Sequence, residues 1–255
     1  MQFTLSGFII GMLVGLTGVG GGSLMTPLLV IIFKINPAIA VGTDLLYASI
    51  TKSAGILSHG SMGHINWKIV KTLMVGSIPS SLVCTYFLEK IDLNSPITLY
   101  WIEIILGTTL FLTSLAVLFQ PWIIKKTRER DTNENNNIIF LTIALGFLLG
   151  GLVTITSVGA GAMGVTALIF LYPRIKISRI IGTDIAHAVP LTMLAGIGHY
   201  NLGNVDIRLL GALLIGSLPG VLIGSYLSDK FNEKTLRYIL AIILMVVSFE
   251  LIFNT

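Results

Sequence analysis

Thr17-Gly18-Val19-Gly20-Gly21-Gly22-Ser23 interrupts one apolar run, and Thr156-Ser157-Val158-Gly159-Ala160-Gly161-Ala162 interrupts another about 140 residues later. Each break is followed by the same tripeptide, Gly42-Thr43-Asp44 and Gly182-Thr183-Asp184. A glycine-rich break inside an apolar helix leaves backbone N–H groups without partners. Such a break is tolerated in a bilayer only where it is buried in protein or lines a cavity. Two such breaks in a duplicated hydrophobic chain are the pattern of a secondary transporter, whose interrupted helices build a site near the membrane midplane.

The match between the halves extends well beyond the breaks. A shift of 140 residues places Ala48 on Ala188, His59 on His199, Gly76-Ser77 on Gly216-Ser217, Pro79 on Pro219 and Tyr86 on Tyr226. The register holds through four apolar segments, as an internal repeat requires. The polar stretch Lys125–Asn137 separates the copies. The expected units are therefore 1–124, a first transmembrane repeat; 125–137, a linker on the cytoplasmic side; and 138–255, a second transmembrane repeat.

Composition restricts the class. Of the 255 residues 54% are hydrophobic and 11% charged, with a mean hydropathy of +0.89. A soluble domain carries about a quarter charged residues, so this chain lacks a surface suited to water. Apolar segments recur at 3–33, 38–58, 68–88, 97–123, 138–172, 179–198, 207–227 and 234–253. The net charge of +4 sits in short loops, which suits membrane orientation and gives no groove for nucleic acid. Cys84 is the single cysteine, so neither a disulfide framework nor a thiolate metal cluster is expected.

Charge placement bears on topology. If all eight segments cross, seven Lys and Arg fall on one side and eight on the other, leaving Lys52 aside. If segments 3–33 and 138–172 turn back as re-entrant hairpins, twelve fall on one side. Only Lys34, Lys90 and Arg208 then remain opposite. The second arrangement obeys the positive-inside rule. Each half then has three crossings, so the halves insert with opposite orientation and both termini lie outside. The fold expected is an all-α polytopic membrane protein of two inverted-topology repeats. Each repeat comprises a glycine-broken helix pair and three transmembrane helices.

Several residues carry candidate chemistry. The backbone and hydroxyls of Thr17, Gly20, Gly21, Gly22 and Ser23, with those of Thr156, Ser157, Gly159 and Gly161, form two donor-rich helix ends suited to a small oxyanion. The flanking Gly7, Gly11, Gly15, Gly146 and Gly150 fit close helix packing instead. Lys52 is the basic residue well inside an apolar segment. It needs a counter-charge, from an anionic substrate or Asp44, unless it snorkels to the segment end. Asp44 and Asp184 are candidates for coupling, or for capping the adjoining hairpin. Asp184 and His187 share a helix face, where an acid beside an imidazole can relay protons. Thr43 and Thr183 belong to the same coupling or gating set. His59 and His199 read as interfacial residues. No nucleophile–base set, helical metal-ligand spacing or phosphate loop is present, so no enzyme, resident metal or cofactor is expected.

At these motifs the chain resembles the TauE/SafE-type sulfite exporter family. The resemblance rests on G-x-x-x-G-x-T-G-V-G-G-G-S-x-x-x-P from Gly11 to Pro27, on both Gly-Thr-Asp motifs and on the Gly-Ser-x-Pro pairs Gly76–Pro79 and Gly216–Pro219. It implies a permease that moves sulfite or an organosulfur anion on an ion gradient; the expected location is a bacterial inner membrane, and Asp44, Asp184 and His187 make protons the candidate coupling ion. The second break is poorer in glycine than the first, so the two half-sites are expected to be unequal. Another anion, a metal ion or a non-transporting membrane subunit remains the alternative, and a homodimer is among the assemblies allowed.

Overall fold

The computed structural model describes residues 1–17, 22–61, 63–93, 95–127, 136–227 and 232–253. The described residues form ten helices: α1 (Gln2–Thr17), α2 (Gly22–Ile31), α3 (Pro37–Ser61), α4 (Trp67–Lys90), α5 (Pro96–Thr127), α6 (Asn136–Thr156), α7 (Ala162–Leu171), α8 (Ile177–Asn201), α9 (Ile207–Leu227) and α10 (Glu233–Phe253). All eight expected segments are helical, and two of them are divided. The second division falls at its glycine-containing break between α6 and α7, and α1 and α2 flank residues 18–21, which lie outside the described residues.

Among the described residues, six helices are long and apolar enough to cross a bilayer: Trp67–Lys90, Pro96–Thr127, Asn137–Thr156, Ile177–Asn201, Ile207–Leu227 and Lys234–Phe253. α3, at 25 residues, matches them in length. The divided pairs are uneven. α1 and α2, of 16 and 10 residues, measure about 24 and 15 Å at 1.5 Å per residue. α6, of 21 residues, reaches about 31 Å, whereas α7 has only 10 residues.

Helices pair across the chain by small-residue contact. A Cβ added to Gly7 of α1 would overlap the Leu213 carbonyl of α9, and one on Gly11 would overlap that of Ser217. In the same way Gly146 of α6 lies on the Leu73 carbonyl of α4, and Gly150 on that of Ser77. The reverse contacts match too: Gly216 lies on Thr4 and Phe8, and Gly76 on Ile143 and Phe147. Without side chains at these points the backbones approach far more closely than larger residues permit. The flanking glycines are therefore packing residues, as their spacing suggested.

The centre is the crossing of α3 and α8. Gly42 faces His199, Leu46 faces Gly196, and Ser49 Oγ donates to the Val189 carbonyl at 3.3 Å. Residue numbers rise along one helix as they fall along the other, so the two run antiparallel. Every major pairing recurs when α1–α5 are exchanged for α6–α10. α1 packs on α9 and α6 on α4, α2 on α3 and α7 on α8, while α3 with α8 and α5 with α10 pair reciprocally.

Each divided pair folds back on itself. Phe3 at the start of α1 packs on Phe33 just past α2, with ring centroids 4.9 Å apart. Tyr172 just past α7 bonds Thr142 near the start of α6, Oη to Oγ1 at 2.7 Å. The end of α5 and the start of α4 meet Tyr172 at that same end of the bundle.

Candidate functional site

The second break is fully described. α6 ends at Thr156, whose Oγ1 donates to the Leu152 carbonyl at 2.7 Å and accepts from the Val158 amide at 3.1 Å. Ser157 adopts a left-handed backbone (φ 59°), and Gly159 and Gly161 have φ of 123° and 129°. Those glycine angles lie where side chains are rarely accommodated, which accounts for glycine at both positions. The helix resumes with the Gly164 amide on the Gly159 carbonyl at 3.0 Å and Val165 on Gly161 at 2.8 Å. Residues 157–162 are all buried. The first break, including the expected Gly20 and Gly21, lies outside the described residues. Thr17, Gly22 and Ser23 are described only as helix backbone at its edges.

Each Gly-Thr-Asp motif divides its work between two directions. Thr43 Oγ1 accepts from the Asp206 amide at 3.1 Å, and Thr183 Oγ1 from the Asn66 amide at 2.9 Å. Asp206 and Asn66 themselves cap α9 and α4, their side chains accepting from Arg208 and Leu209, and from Lys68 and Ile69. The threonines thus tie the central helices to the capped starts of α9 and α4. The neighbouring aspartates point the other way. Asp44 Oδ2 accepts from Thr26 Oγ1 of α2 at 2.6 Å, and Asp184 lies against Gly161 and Gly164 at the start of α7. Both carboxylates are fully buried, and each leaves Oδ1 without a hydrogen-bond partner among the described residues.

Lys52 joins the two halves of this arrangement. It is buried to 8% exposure, and its Nζ donates to the Ala160 carbonyl within the second break at 3.0 Å. Asp184 and then Asp44 are the anionic groups acting on it. The alternative of snorkelling to the segment end is not realised. Ser157 completes the cross-connection, since its hydroxyl stands beside the Asp44 carboxyl without bonding it. The second break therefore faces the α3 ammonium through a carbonyl and the α3 carboxylate through a hydroxyl.

His187 and Tyr47 occupy equivalent places on α8 and α3. His187 Nε2 and Ser77 Oγ of α4 are 2.8 Å apart, and Tyr47 stands opposite Ser217, the counterpart of Ser77. The Asp184–His187 pair expected from helical spacing makes no direct bond; the imidazole turns to α4 and the carboxylate to α7. His199 is buried rather than interfacial, with Nε2 2.9 Å from the Thr154 carbonyl. Thr154 in turn donates to Ser81 at 2.8 Å. The side chain of His59 lies outside the described residues. Thr26 was missed in the sequence, and Ser77 was read only as part of a repeated motif. For Thr26 a signal existed: it lies one turn into the helix that follows the break.

Broken helices around a buried charged centre, within a bundle of long apolar helices, define a polytopic membrane transporter. Residues 3–251 match the family described as sulfite exporter TauE/SafE, and the chain belongs to that family. It is 43% identical to the probable membrane transporter protein YjnA of Bacillus subtilis, over 99% of both chains. The probable membrane transporter protein YdhB of the same organism is 28% identical, over 93% of this chain and 94% of its own. A probable membrane transporter protein of Methanocaldococcus jannaschii is also 28% identical, over 93% of this chain and 90% of its own. No solved structure matches the chain.

Proposed function

We propose that the protein is a secondary permease that exports a small sulfur-containing oxyanion, such as sulfite or an organosulfonate, by alternating access in a bacterial inner membrane. The observation that carries this reading is the Lys52 ammonium held at 3.0 Å by the Ala160 carbonyl inside the second break. A carbonyl is a weak partner for a buried cation, and an oxyanion is a stronger one. Entry of the anion exchanges that carbonyl for substrate oxygen and frees the break to move. Backbone amides of the break and the hydroxyls of Thr156 and Ser157 complete the anion's contacts.

Charge balance supports proton coupling. One ammonium faces two carboxylates, so an arriving anion leaves excess negative charge in a low-dielectric interior. Protons taken up on Asp44 or Asp184 compensate it.

The architecture proposed is two inverted repeats, with units 1–124 and 138–255 joined by the cytoplasmic linker 125–137. The antiparallel α3–α8 crossing supports it, because equivalent spanning helices in that relation imply a pseudo-two-fold axis in the membrane plane. The folded-back ends of both divided pairs support their re-entrance.

The test is the thermal stability of the purified protein with sulfite, thiosulfate, sulfoacetate, sulfate, lactate and divalent metals. A ligand at 100 Kd adds about 2.7 kcal/mol. Selective stabilisation by a sulfur oxyanion, abolished in Lys52→Gln, is expected. Stabilisation by lactate or a metal alone overturns the substrate class.

A further inference from the structure

A groove of about 350 Å³ runs along the outer face of α7 between α5 and α6, walled by Ala116, Ile123, Leu141, Met163, Ala167 and Phe170 among others. Its wall is almost wholly apolar. Thr166 contributes a hydroxyl, which already donates to the Ala162 carbonyl at 2.7 Å. The groove therefore offers nothing to a polar ligand or to water. Leu141 and Phe170 are about half exposed, so the groove opens outward between α5 and α6, where the bilayer lies.

One end of the groove is strongly basic. Lys126 lies one turn beyond Ile123 on α5, its ammonium 4.8 Å from the centroid of the Trp122 ring. Arg174 follows Leu171, the last groove residue of α7, by three positions, and Lys176 is close behind. Both flank a second cavity of about 150 Å³ that Thr127 and Tyr172 share. Lys126, Arg174 and Lys176 are exposed. An apolar slot capped by cations matches a molecule with an anionic head and a hydrocarbon tail.

We propose that this groove binds one anionic phospholipid, with an acyl chain along α7 and the phosphate met by Lys126 and Arg174. The chain's far end then reaches Met163, beside the break: a Cβ built on Gly159 would lie 3.6 Å from the Met163 methyl. The lipid completes the packing of a ten-residue helix whose strip of Met163, Ala167 and Phe170 the protein leaves partly open. Its headgroup specificity comes from the basic end, and its affinity for hydrocarbon from the apolar wall.

The experiment uses the full chain, delipidated in detergent and titrated with phosphatidylglycerol, phosphatidylcholine or inorganic phosphate. Native mass spectrometry counts retained lipid, and melting temperature reports binding. Retention of one phosphatidylglycerol in preference to phosphatidylcholine is expected. Lys126→Gln with Arg174→Gln, both at exposed positions, should erase that preference, by roughly fivefold in affinity per charge. Ala167→Phe fills the slot and should release both lipids; if it does not fold, Ala116→Leu makes the same test from the α5 wall. Equal retention of the two lipids, an unchanged preference in the charge variant, or an equal effect of inorganic phosphate overturns the proposal. None of these readouts depends on which anion is transported.

Discussion

Lys52 on α3 and Ala160 in the second break are joined across 108 residues of sequence by a single 3.0 Å hydrogen bond. The bond spans the two halves of the chain and attaches a buried ammonium to a break whose Ser157, Gly159 and Gly161 all have positive φ. Lys52→Met removes the cation and leaves Asp44 and Asp184 buried without it. A loss of about 3–5 kcal/mol is expected, as for other buried charges stripped of a partner. Chemical or thermal unfolding in detergent measures it. Restoration of most of that loss by adding Asp184→Asn would show that the lysine acts through charge; no restoration would assign it to packing.

Asp184 itself depends on a glycine. A methyl group at position 164 would overlap its Oδ1. Gly164→Ala should therefore cost about 1–3 kcal/mol by overpacking, while Gly211→Ala, where a Cβ meets nothing, should be neutral or stabilising. Comparable melting temperatures for the two variants would contradict the placement of Asp184 against α7.

Thr183→Val deletes the hydroxyl that accepts from the Asn66 amide, and Thr43→Val the one that accepts from Asp206. Each should lose about 1–3 kcal/mol, the cost of an amide left without its acceptor. The two losses should be similar, because the two ties are equivalent. Urea or thermal melts of both variants against the parent decide this.

Ser157 bears a left-handed backbone at the break. A β-branched residue is poorly accommodated there, so Ser157→Val should destabilise by about 1 kcal/mol or more. Ser157→Gly should be neutral or stabilising while deleting the hydroxyl beside Asp44. A transport assay would then separate that hydroxyl's role from the backbone's.

Re-entrance predicts a labelling pattern. With Cys84→Ser as background, cysteines at Lys125 and Arg174 should react with an impermeant thiol reagent from the same side of the membrane, and one at Arg208 from the other. Labelling of positions 125 and 174 from opposite sides would mean that the α6–α7 pair crosses.

The helical segments were legible because their apolar runs are long and their interruptions are glycines. The packing role of Gly7, Gly11, Gly146 and Gly150 was equally legible, since a four-residue spacing of small residues has few other uses in a membrane. The central polar contacts were not. Helical spacing puts Asp184 and His187 on one face but says nothing of what other helices bring there; α7 claimed one and Ser77 the other. His199 looked interfacial from its place near a segment end, yet the close approach of α6 buries it under the Thr154 carbonyl. Thr43 and Thr183 drew attention as neighbours of the aspartates. Their partners, the caps at Asp206 and Asn66, stand beyond the reach of any periodicity.

The exchange of partners between α1 with α9 and α6 with α4 has a consequence for how such a chain is assembled and inherited. Neither hairpin finds its glycine-lined seat within its own half, so a half-length polypeptide would carry one bare seat and one homeless hairpin. Two copies of a half, one inverted relative to the other, would satisfy both at once. On the inverted-repeat architecture proposed above, the present chain is physically equivalent to a swapped pair of half-proteins made permanent by a tether. Expressing 1–127 and 136–255 as separate polypeptides in one cell should yield a complex that survives purification, whereas either fragment alone should be degraded.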